Sequence, residues 1–155
     1  MYRWISGVAM AVAMLGVVGV GCGGGGDDTT SSLTKAEYVK QADAICAERK
    51  KEWQTALTDY RKEAEKKNAV GNAKLEKELA EDALSDSMLP SLQTQLESLE
   101  DLGSPQGKEK QAEKMVESLA KWVKGIEKGG TTAVFDGSSQ DFEEEAKDLG
   151  VTCPI

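Results

Sequence analysis

Apolar residues recur every three or four positions through most of this chain, which is the pattern of amphipathic α-helices. In the clearest segment, Thr34 and Glu37 have the spacing of a capping box. We therefore expect a helix from Lys35 to about residue 67, ended by the poor helix formers of residues 68–72. Its buried stripe should contain Tyr38, Ala42, Ile45, Cys46, Trp53, Ala56, Leu57, Tyr60 and Ala64.

Three further helical segments follow, separated by glycine and proline. The second contains Pro90, which has no N–H and whose ring meets the carbonyl four residues earlier, so this helix should kink or restart before Gly103. The third should span residues 108–128. The last should run from residue 138 or 139 to about 148, with Gly150 as its terminating residue.

These segments predict an all-α fold, an antiparallel bundle of about four helices. No alternating strand pattern of useful length competes with them, although the stretch TTAVFD, residues 131–136, could form an extended connection. Residues 33–155 form one domain in this prediction, since the chain is long enough for one hydrophobic core and not for two.

The first 21 residues have the order of an export signal: Arg3, then the uncharged apolar run 5–20, then small residues. The run ends in Gly-Val-Gly-Cys, residues 19–22, which resembles the lipobox of bacterial lipoproteins. That resemblance implies cleavage before Cys22 and a diacylglycerol on its sulfur. Gly19 departs from the pattern, which usually has Leu there. A transmembrane helix is the alternative, but it needs about 20 apolar residues and this run is shorter.

Residues 22–32 read as the lipidated cysteine followed by a flexible tether. Four consecutive glycines and then Asp, Thr and Ser leave almost no apolar side chain to bury. As a coil, residues 23–32 would span on the order of 15 to 20 Å. This arrangement predicts a domain held at the outer face of the cytoplasmic membrane.

The net charge limits the classes of partner that the chain is expected to bind. The chain has 19 basic and 27 acidic residues, and loss of Arg3 with the leader leaves 18 against 27, a net charge of −9. Such acidity disfavours nucleic acids and anionic lipid surfaces. Lysine and glutamate are interspersed as on solvated helix faces, so charge identifies no particular cationic ligand.

The chain offers little catalytic chemistry. It has no histidine, which excludes His-based triads, His proton shuttles and the usual zinc sites. Ser118 and Lys121 match the S-x-x-K pattern of penicillin-interacting enzymes, in which the serine is the nucleophile. The accompanying elements are out of order or imperfect, so we interpret this pair as part of a solvated helix face and expect no enzyme activity.

We also expect no metal and no cofactor. Asp136, Asp141 and residues 143–145 are acidic and close in sequence, but their spacing does not fit a calcium-binding loop. Asp141 and Glu143 are better interpreted as carboxylates in the first turns of the last helix, where they suit its dipole. Trp53 and Trp122 lie on apolar stripes and should pack in the core.

The remaining cysteines belong to a wider resemblance. The chain resembles small secreted lipoproteins of high-GC Gram-positive bacteria in three segments. These are a first helix of the type KAEYVKQADAICAE, a Pro-kinked second helix ending LPSLQTQLESLEDL, and the closing EEAKDLGVTC. The similarity covers most of residues 33–153. That family has no assigned activity, so the resemblance implies architecture and location only. It implies that Cys46 pairs with Cys153, as does export to an oxidising compartment once Cys22 is lipidated. Two buried free thiols are the alternative.

These inferences favour a membrane-anchored extracytoplasmic lipoprotein that acts as a binding or interaction module for a protein or a small ligand. A small-molecule receptor is the first alternative, and an apolar void lined by Trp53 or Trp122 would favour it. An exposed apolar groove would instead favour a protein partner. An enzyme with an unrecognised site is the second alternative.

Overall fold

The first helix begins where its capping signal places it. In the computed structural model, which describes residues 33–153, helix α1 spans Lys35–Lys66. Thr34 Oγ1 accepts the Glu37 N–H, and the Glu37 carboxylate accepts the Thr34 N–H at 3.0 Å. The Thr34 hydroxyl also donates to Glu37 Oε2 at 2.7 Å, and this bond, with the one from the Thr34 N–H, lowers the pKa of Glu37 below its usual value. The capping box and the start at Lys35 are confirmed.

The chain then turns and returns along α1. Residues 67–72 form the turn, with Asn68 in the left-handed region at φ 50°. Helix α2, Ala73–Ala83, a π-helical segment, Leu84–Met88, and helix α3, Leu89–Leu102, follow one another without a break. The π-helical segment ends at Met88, two residues before Pro90, which has no N–H to donate to Asp86, so the predicted interruption of the α-helical pattern is confirmed.

Two more helices complete the fold. Helix α4 spans Glu109–Gly129 and helix α5 spans Gly137–Leu149. Gly150 ends α5 at φ 92°, in the left-handed conformation expected of it. Residues 130–133 form a 3₁₀ turn, so the expectation of an extended connection was wrong: the Val134 carbonyl is turned inward and accepts the Trp122 Nε1–H at 3.0 Å.

The helices form an antiparallel bundle, and the described residues contain no β-strand. We call the continuous segment of α2, the π-helical segment and α3 the second rod. It runs antiparallel to α1, because Trp53 is hydrogen-bonded to Met88 whereas Cys46, earlier in α1, contacts Gln95, later in the second rod. Helix α3 packs on α4, and α4 packs on α5. If the second rod is counted as one helix, the described residues form an all-α bundle of four helices, as predicted.

Helix α1 is longer than the helices that cover it. Its 32 residues extend about 48 Å, whereas the 21 residues of α4 extend about 32 Å. The far part of α1 packs on α2, and the two share a small separate apolar cluster of Tyr60, Ala64, Ala69, Leu75 and Leu79. Leu57 was predicted to be buried but is 41% exposed.

Candidate functional site

The two cysteines of the domain meet within the hydrophobic core. The Cα atoms of Cys46, in α1, and Cys153, after α5, are 5.0 Å apart, and the predicted disulfide joins them across 107 residues. The Thr152 N–H donates to Asp43 Oδ1 at 2.6 Å, so the carboxyl-terminal segment is also held on α1. Cys22, the predicted lipidation site, lies outside the described residues.

Polar groups surround this disulfide inside the core. Gln95 Nε2 lies 3.3 Å from Cys46 Sγ and 3.8 Å from Cys153 Sγ. Arg49 is 2% exposed, its guanidinium lies 5.3 Å from the centre of the Trp53 ring, and burial lowers its pKa to about 10. Arg49 therefore remains a cation at neutral pH.

Sequence reasoning missed the buried arginine. Arg49 follows Cys46 by three positions and precedes Trp53 by four, so it continues the apolar stripe of α1. That spacing was the available signal, because a stripe position occupied by a charged residue still points into the core. The long stem of arginine allows it to fill such a position while its charged group faces an aromatic ring.

Both tryptophans of the domain pack in the core, as predicted. Their ring centroids are 5.8 Å apart, and Trp122 also stacks on Phe142 at 6.3 Å. Trp53 Nε1 donates to the Met88 carbonyl at 3.2 Å. Neither ring lines the open groove between α1 and the second rod, so this groove is not the tryptophan-lined void that would have favoured a small-molecule receptor.

The residues considered for catalysis are placed apart from that groove. Lys121 is exposed, but Ser118 is 8% exposed, so the interpretation of the pair as a solvated face was wrong for the serine. Residue 118 lies on the core side of α4, three positions after Met115 and one before Leu119, both fully buried.

The acidic residues near α5 have structural roles. Helix α5 begins at Gly137, capped by Asp136, whose carboxylate accepts the Ser138 N–H at 3.0 Å. Asp141 and Glu143 therefore lie beyond the first turn, and Asp136 is the residue at the helix start. Within residues 33–153, no group of three or more His, Cys, Asp or Glu residues is arranged to hold a metal ion.

An open groove runs between α1 and the second rod. It has a volume of about 720 Å³ and follows α1 from Glu48 to Lys67, a distance of about 28 Å. Its other wall extends from Leu79 through the π-helical segment to Thr94. The groove was not predicted, because it depends on how α1 packs beside the second rod, and the periodicity of one helix does not report that packing.

The groove combines an apolar floor with carboxylates on both sides. The floor contains Ala56, Tyr60, Leu79 and Ala83. The carboxylates are Glu48, Glu52, Asp59, Glu63, Asp82 and Asp86, and the lysines are Lys51 and Lys67. Six acidic and two basic side chains give the lining a formal charge of −4, and we call this feature the acidic groove.

The two rods are joined at one end of the acidic groove. Ser91 Oγ donates to Glu52 Oε2 at 2.5 Å, and this contact lies one turn from the Trp53 to Met88 hydrogen bond. Towards the turn at residues 67–72, Asp59 and Glu63 make ion pairs with Lys62 and Lys66, at 3.0 and 3.2 Å. These pairs are exposed, so they hold the carboxylates weakly.

Comparisons with protein-family models, with curated proteins and with solved structures found no match to this chain. Among the helices between residues 33 and 153, none combines the length and the apolar character needed to cross a membrane. The apolar run at residues 5–20 lies outside the described part of the chain.

Proposed function

We propose that this protein is a membrane-anchored extracytoplasmic lipoprotein that acts as a binding module through its acidic groove. The observation that carries the proposal is the juxtaposition of Cys46 and Cys153. A disulfide that closes 107 residues persists in an oxidising compartment and is rare in a reducing cytosol. Export of the chain agrees with the leader-like residues 1–21 and with lipidation at Cys22.

The fold supports display of the groove away from the membrane. The tether at residues 22–32 enters the domain at the start of α1, and the groove begins at Glu48, about 20 Å further along that helix. The turn at residues 67–72 is the far end of the bundle. A lipid on Cys22 would therefore leave the groove facing the extracytoplasmic space.

Binding accounts for the arrangement better than turnover does. The acidic groove presents carboxylates and an apolar floor, whereas the S-x-x-K serine, Ser118, is buried in α4. The receptor alternative has less support, because Trp53 and Trp122 fill the core and the groove is open. We therefore place the binding activity in the acidic groove.

The anchor is tested by comparing Cys22→Ala with Ser32→Ala, which changes the tether and leaves the cysteine intact. Cells are labelled with an alkyne analogue of palmitate and fractionated, and protease is added to intact spheroplasts. We expect label, membrane association and protease sensitivity in wild type and Ser32→Ala. Cys22→Ala should lack label and be either released or retained with an uncleaved leader. Equal membrane association without label in all three proteins would contradict the proposal.

A further inference from the structure

We infer that the acidic groove binds a basic, amphipathic helix of a partner protein. This inference rests on the groove as the binding site of the proposed function and names the class of its ligand. It follows from three properties of the groove: the small apolar side chains of its floor, the carboxylates on both walls, and its length.

The floor suits the apolar face of a helix. Ala56 of α1 and Ala83 of α2 have the smallest apolar side chains, and they lie on opposite sides of the groove. Because interhelical distance depends on the side chains at the contact, small residues allow a third helix to approach both rods closely. Tyr60, which is half-buried, adds a larger apolar side chain in the same groove, and Leu79 lies buried beneath it. An amphipathic helix bound in a groove uses this kind of surface.

The carboxylates on both walls of the groove favour a positively charged helix. Glu48 comes from α1, and Asp82 and Asp86 come from the second rod, so an occupant meets carboxylates on both sides. None of these three belongs to an ion pair formed between residues 33 and 153. Lysine or arginine on the flanks of a bound helix would complement them.

The length of the groove separates a helix from other occupants. About 28 Å corresponds to roughly 18 helical residues, or five turns. A compact ligand would leave much of an open groove of this length uncovered, whereas small-molecule sites enclose most of the ligand surface. A second copy of this chain, a nucleic acid or an anionic lipid would bring negative charge towards a lining of charge −4.

The test uses the mature lipoprotein in phosphatidylcholine nanodiscs. The probe is a fluorescent 18-residue peptide with leucine on one helical face and lysine on the other. A scrambled peptide of the same composition, a version with glutamate in place of lysine, and spermine are the comparison ligands. Fluorescence anisotropy gives the Kd of each labelled peptide, and competition gives that of spermine.

Two variants with equal changes in net charge locate the site. Glu48→Gln/Asp82→Asn/Asp86→Asn neutralises three exposed carboxylates of the acidic groove. Glu113→Gln/Glu117→Gln/Glu144→Gln neutralises three exposed carboxylates on α4 and α5. We expect the amphipathic peptide to bind wild type at least tenfold more tightly than the scrambled peptide does. The groove variant should weaken this binding at least tenfold and the control variant less than threefold.

NMR shifts of the Ala56 and Ala83 methyl groups provide an independent location for the peptide, and they should change on binding to wild type. Equal weakening by both variants, preference for spermine or the scrambled peptide, or no binding by wild type would each overturn the inference. The outcome is distinguishable from failure of the anchor, because peptide binding is measured on purified protein and lipidation of Cys22 is measured in cells.

Discussion

The disulfide between Cys46 and Cys153 should supply a large share of the stability of the domain. It closes a loop of 107 residues, and the chain-entropy model assigns such a loop about 16 cal/mol/K, or about 4.8 kcal/mol at 25 °C. Unfolding entropies near 2.1 cal/mol/K per residue convert this to a fall in Tm of about 15 to 20 °C for a domain of about 120 residues.

The assay is thermal unfolding of Cys46→Ala/Cys153→Ala followed by circular dichroism. A phosphine reductant should lower the Tm of wild type by a similar amount and leave the Tm of the double variant unchanged. A fall of less than about 5 °C in the variant would refute the entropy argument. Alkylation of both thiols in native wild type without reductant would show that the bond is not formed.

Four other single substitutions have defined expected outcomes. The Tyr38 hydroxyl is fully buried and has no hydrogen-bond partner within residues 33–153, so Tyr38→Phe should keep or raise the unfolding free energy, by up to about 1 kcal/mol. Burial raises the pKa of Tyr38 to about 12, so stability should fall between about pH 10 and about pH 12 in wild type and less in the variant, as urea titrations at each pH will show. Thr34→Ala removes the capping box of α1 and should cost about 1 kcal/mol in the same titrations, and an unchanged midpoint would contradict this. Ser118→Ala and Lys121→Ala should each leave any cellular phenotype of the gene unchanged at normal expression, and loss of the phenotype would favour an enzyme.

Local signals in the sequence were sufficient for most of the fold. The spacing of Thr34 and Glu37 placed the start of α1, and Gly150 placed the end of α5, because hydrogen bonds at helix ends depend on a few adjacent residues. The interruption of the α-helical pattern before Pro90 was predictable for the same reason, although its π-helical form was not. The pairing of Cys46 with Cys153 followed from compartment and cysteine count.

Features that depend on packing between helices were not predicted. Leu57 occupies a stripe position of α1, yet it is 41% exposed. Arg49 and Ser118 are polar residues at positions that the bundle turns inward. The acidic groove likewise depends on how α1 and the second rod are placed side by side, since residues of both line it. Periodicity describes one helix and does not report how far its neighbours extend.

The most direct test of the account is the intact mass of the protein extracted from membranes of the producing cells, with tandem sequencing of its amino-terminal peptide. The account predicts a chain that begins at Cys22 and carries a diacylglycerol on the cysteine sulfur, with Cys46 and Cys153 linked. A membrane-bound chain that retains residues 1–21 and has an unmodified Cys22 would contradict it.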